Sequence, residues 1–315
     1  MNSWQITNIK EISKINLIEN LDEVDSVKVK ITRCFITQKD INAYLGIEKH
    51  EMPFIPGEFA VGQTTETLND SSYFFKGQKV YVTTKDDKNN GFLKEFAVVS
   101  KNNCYVLPAN VNEYDALFIK HISLALTVID RLKIEKGEYV AIVGGSILGN
   151  IIAQLVTYYK AVPIIVDKSE SNIEISQKTD IYYNLLVNKN LEKEIIDITG
   201  GRKCKKVIYV TDNDINIDTV LKLASNNAYL AVTGITDTTQ KLNLSSAFDK
   251  NLNIKFIKEG YDNIGTAINL LVQKAVNLSF FKINDYKFEY VNKHFENAET
   301  KIKEDNKFEF TVNLL

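Results

Sequence analysis

The sequence predicts an α/β protein in which a β-rich N-terminal portion precedes a doubly wound parallel sheet. Three observations carry that prediction. A β-rich apolar run, Tyr139 to Val143, stops at Gly144-Gly145, and Ile151, Ile152, Leu155 and Val156 follow at helical spacing. A second buried-strand run, Val162 to Val166, ends in Asp167. Strands and helices keep alternating beyond it, which implies parallel strands with helices covering both faces.

Residues 1 to about 115 are read as β-rich. Val27 to Ile31 and Lys79 to Val82 alternate apolar and polar side chains, and Phe96 to Val99 is a short apolar strand. Pro53, Pro56-Gly57, Lys76-Gly77 and Asn89-Asn90-Gly91 are turn signals between them. Asn112 to Arg131 has helical periodicity (Ala116, Leu117, Ile119, Ile122, Leu126, Ile129) and leads into the glycine turn. After Asp167 the pattern predicts helices over 171–178, 191–198 and 219–224, with strands over 206–210 and 229–232. The last segment predicts a strand over 253–257, helices over 264–274 and 288–299, and a closing strand over 308–312. There is no internal repeat.

Composition narrows the classes. The chain has 315 residues, 44% hydrophobic and 25% charged, as an ordinary globular protein of one or two domains has. A formal net charge of −2 argues against a nucleic-acid or membrane surface. No apolar run approaches the roughly 20 residues of a membrane span, and Met1 to Gln5 lacks a signal-peptide layout. Cys34, Cys104 and Cys204 lie too far apart, without nearby His, for a disulfide framework or a structural zinc cluster. A cytoplasmic protein is the expectation.

The glycine turn carries the chemistry. A strand that runs through glycines into a helix presents backbone N–H groups at the helix N-terminus, where they hold a phosphate. Gly144, Gly145, Ser146, Ile147, Leu148 and Gly149 form that turn. Ser146 replaces the middle glycine of Gly-x-Gly-x-x-Gly, which lets the backbone approach a pyrophosphate. A serine fits there if its φ is negative, and its hydroxyl is then a phosphate donor. Asp167, at the second strand's tip, is placed to accept from a ribose 2′-OH and favours NAD(H), because a carboxylate repels a 2′-phosphate. Lys168 softens that discrimination and leaves NADP(H) open. The competing reading is an α/β core whose nucleotide site has decayed.

With those residues in place, the chain resembles the medium-chain dehydrogenase/reductase family, the alcohol-dehydrogenase-like proteins, over nearly its full length. The matching stretches are Val27 to Gly46, Pro53 to Gly62, Phe75 to Val82, Gly91 to Val99, Lys136 to Gln154, Val166 to Glu170, Ile198 to Val210 and Phe288 to Ala298. The resemblance implies a GroES-like β-barrel catalytic domain over 1–120, completed by 258–315, around a Rossmann domain over 121–257. It also implies that Asn253 to Ile257 is an edge strand pairing across a two-fold axis, hence a homodimer.

Departures from the family's pattern matter as much. In zinc-dependent members a cysteine ligand stands where this chain has Thr37, a Ser/Thr relay where it has Lys39, and often a relay histidine at Asn42. The Gly-His-Glu motif reads Gly57-Glu58-Phe59, and the third ligand falls near Ile119 or Lys120. The four-cysteine lobe of a second zinc is missing between Val82 and Gly91. One carboxylate beside a lysine does not supply a tetrahedral N/S/O donor set, so no metal is expected.

The resemblance assigns the remaining positions. Lys39, Glu58 and Lys120 stand around the reacting oxygen in relatives. An ammonium there either stabilises a developing alkoxide or enolate, or forms a Lys–Glu pair that fills the vacated metal site. His121 is a proton-transfer candidate, with a packed or capping histidine as its alternative. Thr37, Tyr44 and Phe59 are read as substrate-pocket residues, and Thr211 and Gly234 as turns beside the cofactor. Arg33 is placed to reach the pyrophosphate; His50 and His294 are read as surface residues. The implied function is a zinc-independent NAD(P)(H)-dependent oxidoreductase acting on a small carbonyl, alcohol or activated alkene. The alternative is a catalytically inactive nucleotide-binding sensor or scaffold.

Overall fold

A computed structural model describes residues 1–18, 25–67, 73–84, 90–210, 215–234, 241–305 and 308–315. Two units emerge: Met1–Phe118 with Lys282–Leu315, and Ile119–Phe281.

The first unit opens with an antiparallel hairpin, β1 (Asn2–Asn8) and β2 (Glu11–Asn16). The long strand β3 (Ser26–Ile36) leads into helix α1 (Gln38–Leu45), and β4 (Phe59–Thr67), β5 (Lys79–Thr83), β6 (Phe96–Ser100), β7 (Cys104–Val106) and the single-turn helix α2 (Glu113–Ala116) follow.

The second unit begins with α3 (Ile119–Leu132) and continues β8 (Tyr139–Val143), α4 (Ile147–Tyr158), β9 (Val162–Asp167), α5 (Glu170–Lys178), β10 (Tyr183–Leu186) and α6 (Leu191–Ile198). Then come β11 (Cys204–Val210), α7 (Ile217–Leu223), β12 (Ala224–Thr233), α8 (Leu244–Asp249), β13 (Asn253–Ile257) and α9 (Ile264–Val272). The chain returns to the first unit with β14 (Asn284–Lys287), α10 (Val291–Glu296), α11 (Ala298–Asp305) and β15 (Phe310–Asn313).

In the first unit the sheet order is β14-β15-β3-β4-β5-β7, with β6 paired to β3. β15 lies antiparallel to β3, Phe310 opposite Ile36, so the C-terminal strand completes a sheet begun by the N-terminal segment. The core under it gathers Trp4, Val29, Cys34, Tyr44, Phe54, Val80, Val82, Phe295 and Phe310. Trp4 donates its indole N–H to the Phe288 carbonyl at 2.7 Å, so even this aromatic's polar edge is satisfied.

In the second unit all pairings are parallel, in the order β10-β9-β8-β11-β12-β13. This doubly wound arrangement reverses direction between β8 and β11, where open α/β sheets bind their ligands. β8 and β9 are buried along most of their length because helices cover both faces, which explains their unbroken apolar runs.

Several expectations changed. The helix expected over Asn112–Arg131 is interrupted at Leu117–Phe118, leaving α2 and α3. The helix over 288–299 is a 3-10 turn followed by α10 and α11, and the closing strand runs from Phe310 rather than 308. Residues 258–281, assigned with the barrel segment, cluster instead with the parallel-sheet unit. The cause is close packing on α3. Gly260 lies so near it that a Cβ there would stand 2.5 Å from Leu124 Cα, Ser123 Oγ donates to the Gly260 carbonyl, and Asn263 Nδ2 donates to Thr127 Oγ1 at 3.0 Å.

Candidate functional site

The glycine turn lies at the C-terminal end of β8. Gly144 has φ +108°, a left-handed conformation that suits glycine, and its N–H donates to the Val166 carbonyl at 2.9 Å. Gly149 lies on the first turn of α4 so close to that backbone that a Cβ would stand 1.8 Å from Gly144 O. Ser146 is the N-cap of α4 with φ −58°, the negative value that lets a serine replace glycine. Its Oγ is buried and makes no hydrogen bond, leaving a hydroxyl and the first-turn N–H groups at one helix end.

Asp167 holds the turn from the tip of β9. Only 3% exposed, its carboxylate accepts from the Gly145 N–H, from Ser169 N at 2.7 Å and from Asn172 Nδ2 at 3.2 Å. It therefore ties the glycine turn to the tip of β9 and the start of α5. Lys168 beside it is exposed. Gly234, just past β12, has φ +71°, and Thr233 Oγ1 donates to the Ile257 carbonyl at 2.9 Å. Thr211, with Asp212, Asn213 and Ile235, lies outside the described residues.

The other candidates fall in both units. Thr37 is the N-cap of α1, and a reciprocal capping box joins it to Asp40. Lys39, on the first turn of α1, and Glu58, just before β4, are each half-buried. Phe59 is buried and stacks on Phe35 at 4.9 Å between centroids. Lys120 and His121 are half-buried on α3 in the other unit, with Lys120 Nζ 5.2 Å above the Tyr261 ring.

Three residues are held by partners within the first unit. Tyr44 is packed in the first unit's core against Phe295, its hydroxyl donating to the Lys10 carbonyl, because α1 turns that face inward. Arg33 is paired with Asp285 at 2.6 Å inside the first unit. His294 is half-buried, stacked on Tyr286 at 3.4 Å, where burial and Lys293 hold it below its ordinary 6.5.

The zinc of the family's metal-dependent members is testable on donor chemistry. Thr37 supplies a hydroxyl already engaged with Asp40, Glu58 one carboxylate, and Ile119 a buried aliphatic side chain. Among the described residues no three His, Cys, Asp or Glu side chains gather around a common point. These residues do not fit a tetrahedral zinc.

Sequence reasoning overlooked Asp40 and Lys94. Asp40 Oδ1 accepts the Gly57 N–H at 3.0 Å, and Oδ2 accepts Thr37 N and Thr37 Oγ1, both at 2.8 Å. Thr37 followed three residues later by an acid is a helix-start signal that could have revealed it. Lys94 is 1% exposed, its ammonium donating to Asn90 Oδ1 at 2.6 Å; no local pattern announces a buried lysine. The buried Cys34 thiol is raised well above its ordinary value by burial and the Asp40 charge, against the opposing charge of Lys94.

A β-sheet unit closed by both chain ends and a six-stranded unit with a glycine turn at its switch point define an alcohol-dehydrogenase-type architecture. Comparison with known proteins agrees. Residues 23–109 match the alcohol dehydrogenase GroES-like domain. A Haemophilus influenzae protein described as an uncharacterized zinc-type alcohol dehydrogenase-like protein is 27% identical over 188 residues, covering 59% of this chain and 54% of the relative. The match thus spans about half the length of that relative.

Solved structures share the whole fold at lower identity. An Escherichia coli CFT073 alcohol dehydrogenase complexed with NADH superposes with TM-score 0.85 at 17% identity, covering 100% of this chain and 99% of that one. An Escherichia coli oxidoreductase of unknown specificity gives 0.88 at 12%, with the same coverage. A zinc-binding-type dehydrogenase of Sinorhizobium meliloti bound to NADP gives 0.81 at 14%, covering 99% of each chain. Residues 23–109 thus match the GroES-like domain of alcohol dehydrogenases, and the chain as a whole has the fold of alcohol-dehydrogenase-like structures.

Proposed function

We propose that this protein is a zinc-independent oxidoreductase that moves a hydride between NAD(P)(H) and a small carbonyl, alcohol or activated alkene. The observation that carries the reading is the glycine turn at the switch point of the parallel sheet. It combines first-turn N–H groups that no side chain caps, the unbonded Ser146 hydroxyl, and Gly145 held in place by Asp167. When bound, the nicotinamide supplies the hydride chemistry. The chain's part is to bind pyrophosphate at α4 and to supply charged groups that hold and move protons.

Among those charged groups Lys39, half-buried beside the Thr37–Asp40 cap, is the proton donor in this proposal. Reduction is the favoured direction, because a protein acid assists protonation of a developing alkoxide or enolate more readily than it replaces a metal in alcohol oxidation. Asp167, beside the turn, keeps NAD(H) ahead of NADP(H), with exposed Lys168 leaving the second open. A second copy of the chain pairing along β13 completes the proposal.

Thermal unfolding with NAD, NADH, NADP and NADPH tests it. At about a hundredfold excess over Kd a bound coenzyme adds about 2.7 kcal/mol, a midpoint rise on the order of 5 °C. NADH is expected to give the larger rise of the two reduced forms. No rise with any of the four refutes nucleotide binding. One equivalent of zinc retained per chain after purification refutes the metal-free site, and undiminished carbonyl reduction in Lys39→Ala removes that residue from the chemistry.

A further inference from the structure

We infer that Asp40 is a positioning residue: its carboxylate stitches the turn ahead of β4 to the start of α1 and so sets where Thr37, Lys39 and Glu58 stand. The inference rests on the proposed function only in treating those three as site residues. One oxygen accepts the Gly57 N–H at 3.0 Å, the other accepts Thr37 N and Thr37 Oγ1 at 2.8 Å each. A single side chain thereby joins positions 37 and 57, twenty residues apart in sequence.

The surroundings make the stitch specific. Gly57 has φ +99°, and a Cβ there would stand 2.3 Å from Cys34 Sγ, so its backbone lies directly over that sulfur. Its carbonyl accepts Phe92 N at 2.9 Å, which anchors the other side of the turn. Three donors converge on Asp40, an arrangement suited to an ionised carboxylate, which only accepts. Its negative charge also reaches the Cys34 thiol and raises it after burial has done so. Losing Asp40 therefore frees the lid over Cys34 while leaving the strands that bury Cys104 and Cys204 untouched.

All three cysteines are free and buried, so thiol labelling reads the stitch without coenzyme or substrate. The full chain is treated with an aromatic disulfide reagent under native conditions, and each site is quantified by peptide mass spectrometry. In Asp40→Ala, Cys34 is expected to react about ten- to hundredfold faster, the loss expected for hydrogen bonds to a charged group. Cys104 and Cys204 keep wild-type rates. Asp40→Asn retains one acceptor oxygen for the Gly57 N–H, so it falls between, and it carries the test if the alanine variant does not fold. An unchanged Cys34 rate, or a parallel rise at all three thiols in the asparagine variant, overturns the inference. Because no coenzyme is present, that failure is distinct from failure of the oxidoreductase reading.

Discussion

Gly149→Ala is the sharpest probe of the glycine turn. A methyl at this position would stand 1.8 Å from Gly144 O and 2.9 Å from Gly144 C, with Ile142 Cγ2 at 3.6 Å behind it. Gly144 cannot retreat freely, since its N–H is bonded to the Val166 carbonyl at 2.9 Å. Relief therefore means moving α4 away from β8 or breaking that bond. Overpacking of this kind costs about 1–3 kcal/mol, and a lost backbone hydrogen bond about 1 more. Alanine's better helix propensity returns up to about 1 kcal/mol. The net is a loss of about 1–3 kcal/mol, a midpoint drop of about 3–10 °C for a unit of this size.

Gly145→Ala is the matched control. Its φ lies outside the left-handed range, and its Cβ would meet Ile165 Cγ2 at 3.1 Å and Asp167 Oδ2 at 3.3 Å, contacts that small shifts relieve. Scanning calorimetry of both variants, with and without NADH, separates the effects. Gly149→Ala should lose stability and coenzyme response together, while Gly145→Ala loses much less stability. Unfolding of Gly149→Ala within about 1 °C of wild type would show that the turn and α4 are not in close contact.

Other predictions concern the first unit and the sheet edge. His294 is held below its ordinary 6.5 by burial and by Lys293, so the fold favours its neutral ring. That contribution is present above pH 6.5 and fades as pH falls through the depressed folded value. The urea-midpoint gap between wild type and His294→Phe should be level above that point and change below it; a level gap down to acid pH contradicts the linkage. β13 is an outer strand whose Phe256 is 73% exposed, and α8 just before it leaves Phe248 84% exposed. Pairing of two copies along this edge predicts that Phe256→Lys converts a dimer into a monomer in sedimentation velocity, and a monomeric wild type refutes the pairing.

How much was legible follows from the range of the forces. The βαβ core was readable because strands buried on both faces must be continuously apolar, and the glycines at the end of β8 punctuate them. β1, β2, α1 and β4 were not recognised: β2 shows only exposed and half-exposed side chains, and short elements carry little periodicity. The packing of Tyr44 was not legible because a tyrosine's phenol serves a core as well as a pocket, and its partners Lys10 and Phe295 are far away in sequence. Asp167 was recognised as part of the turn, but its buried bond to Gly145 depends on how β9 and α5 pack.

By itself the sequence determined the parallel-sheet class and the glycine turn that ends β8, since each depends on residues adjacent along the chain or one helical turn apart. Only the tertiary structure decided that residues 258–281 pack on α3, that Lys94 is buried, and that Asp40 joins Thr37 to Gly57. Those outcomes arise when distant backbone donors and charges are brought out of water together, and no local pattern encodes which of them will meet.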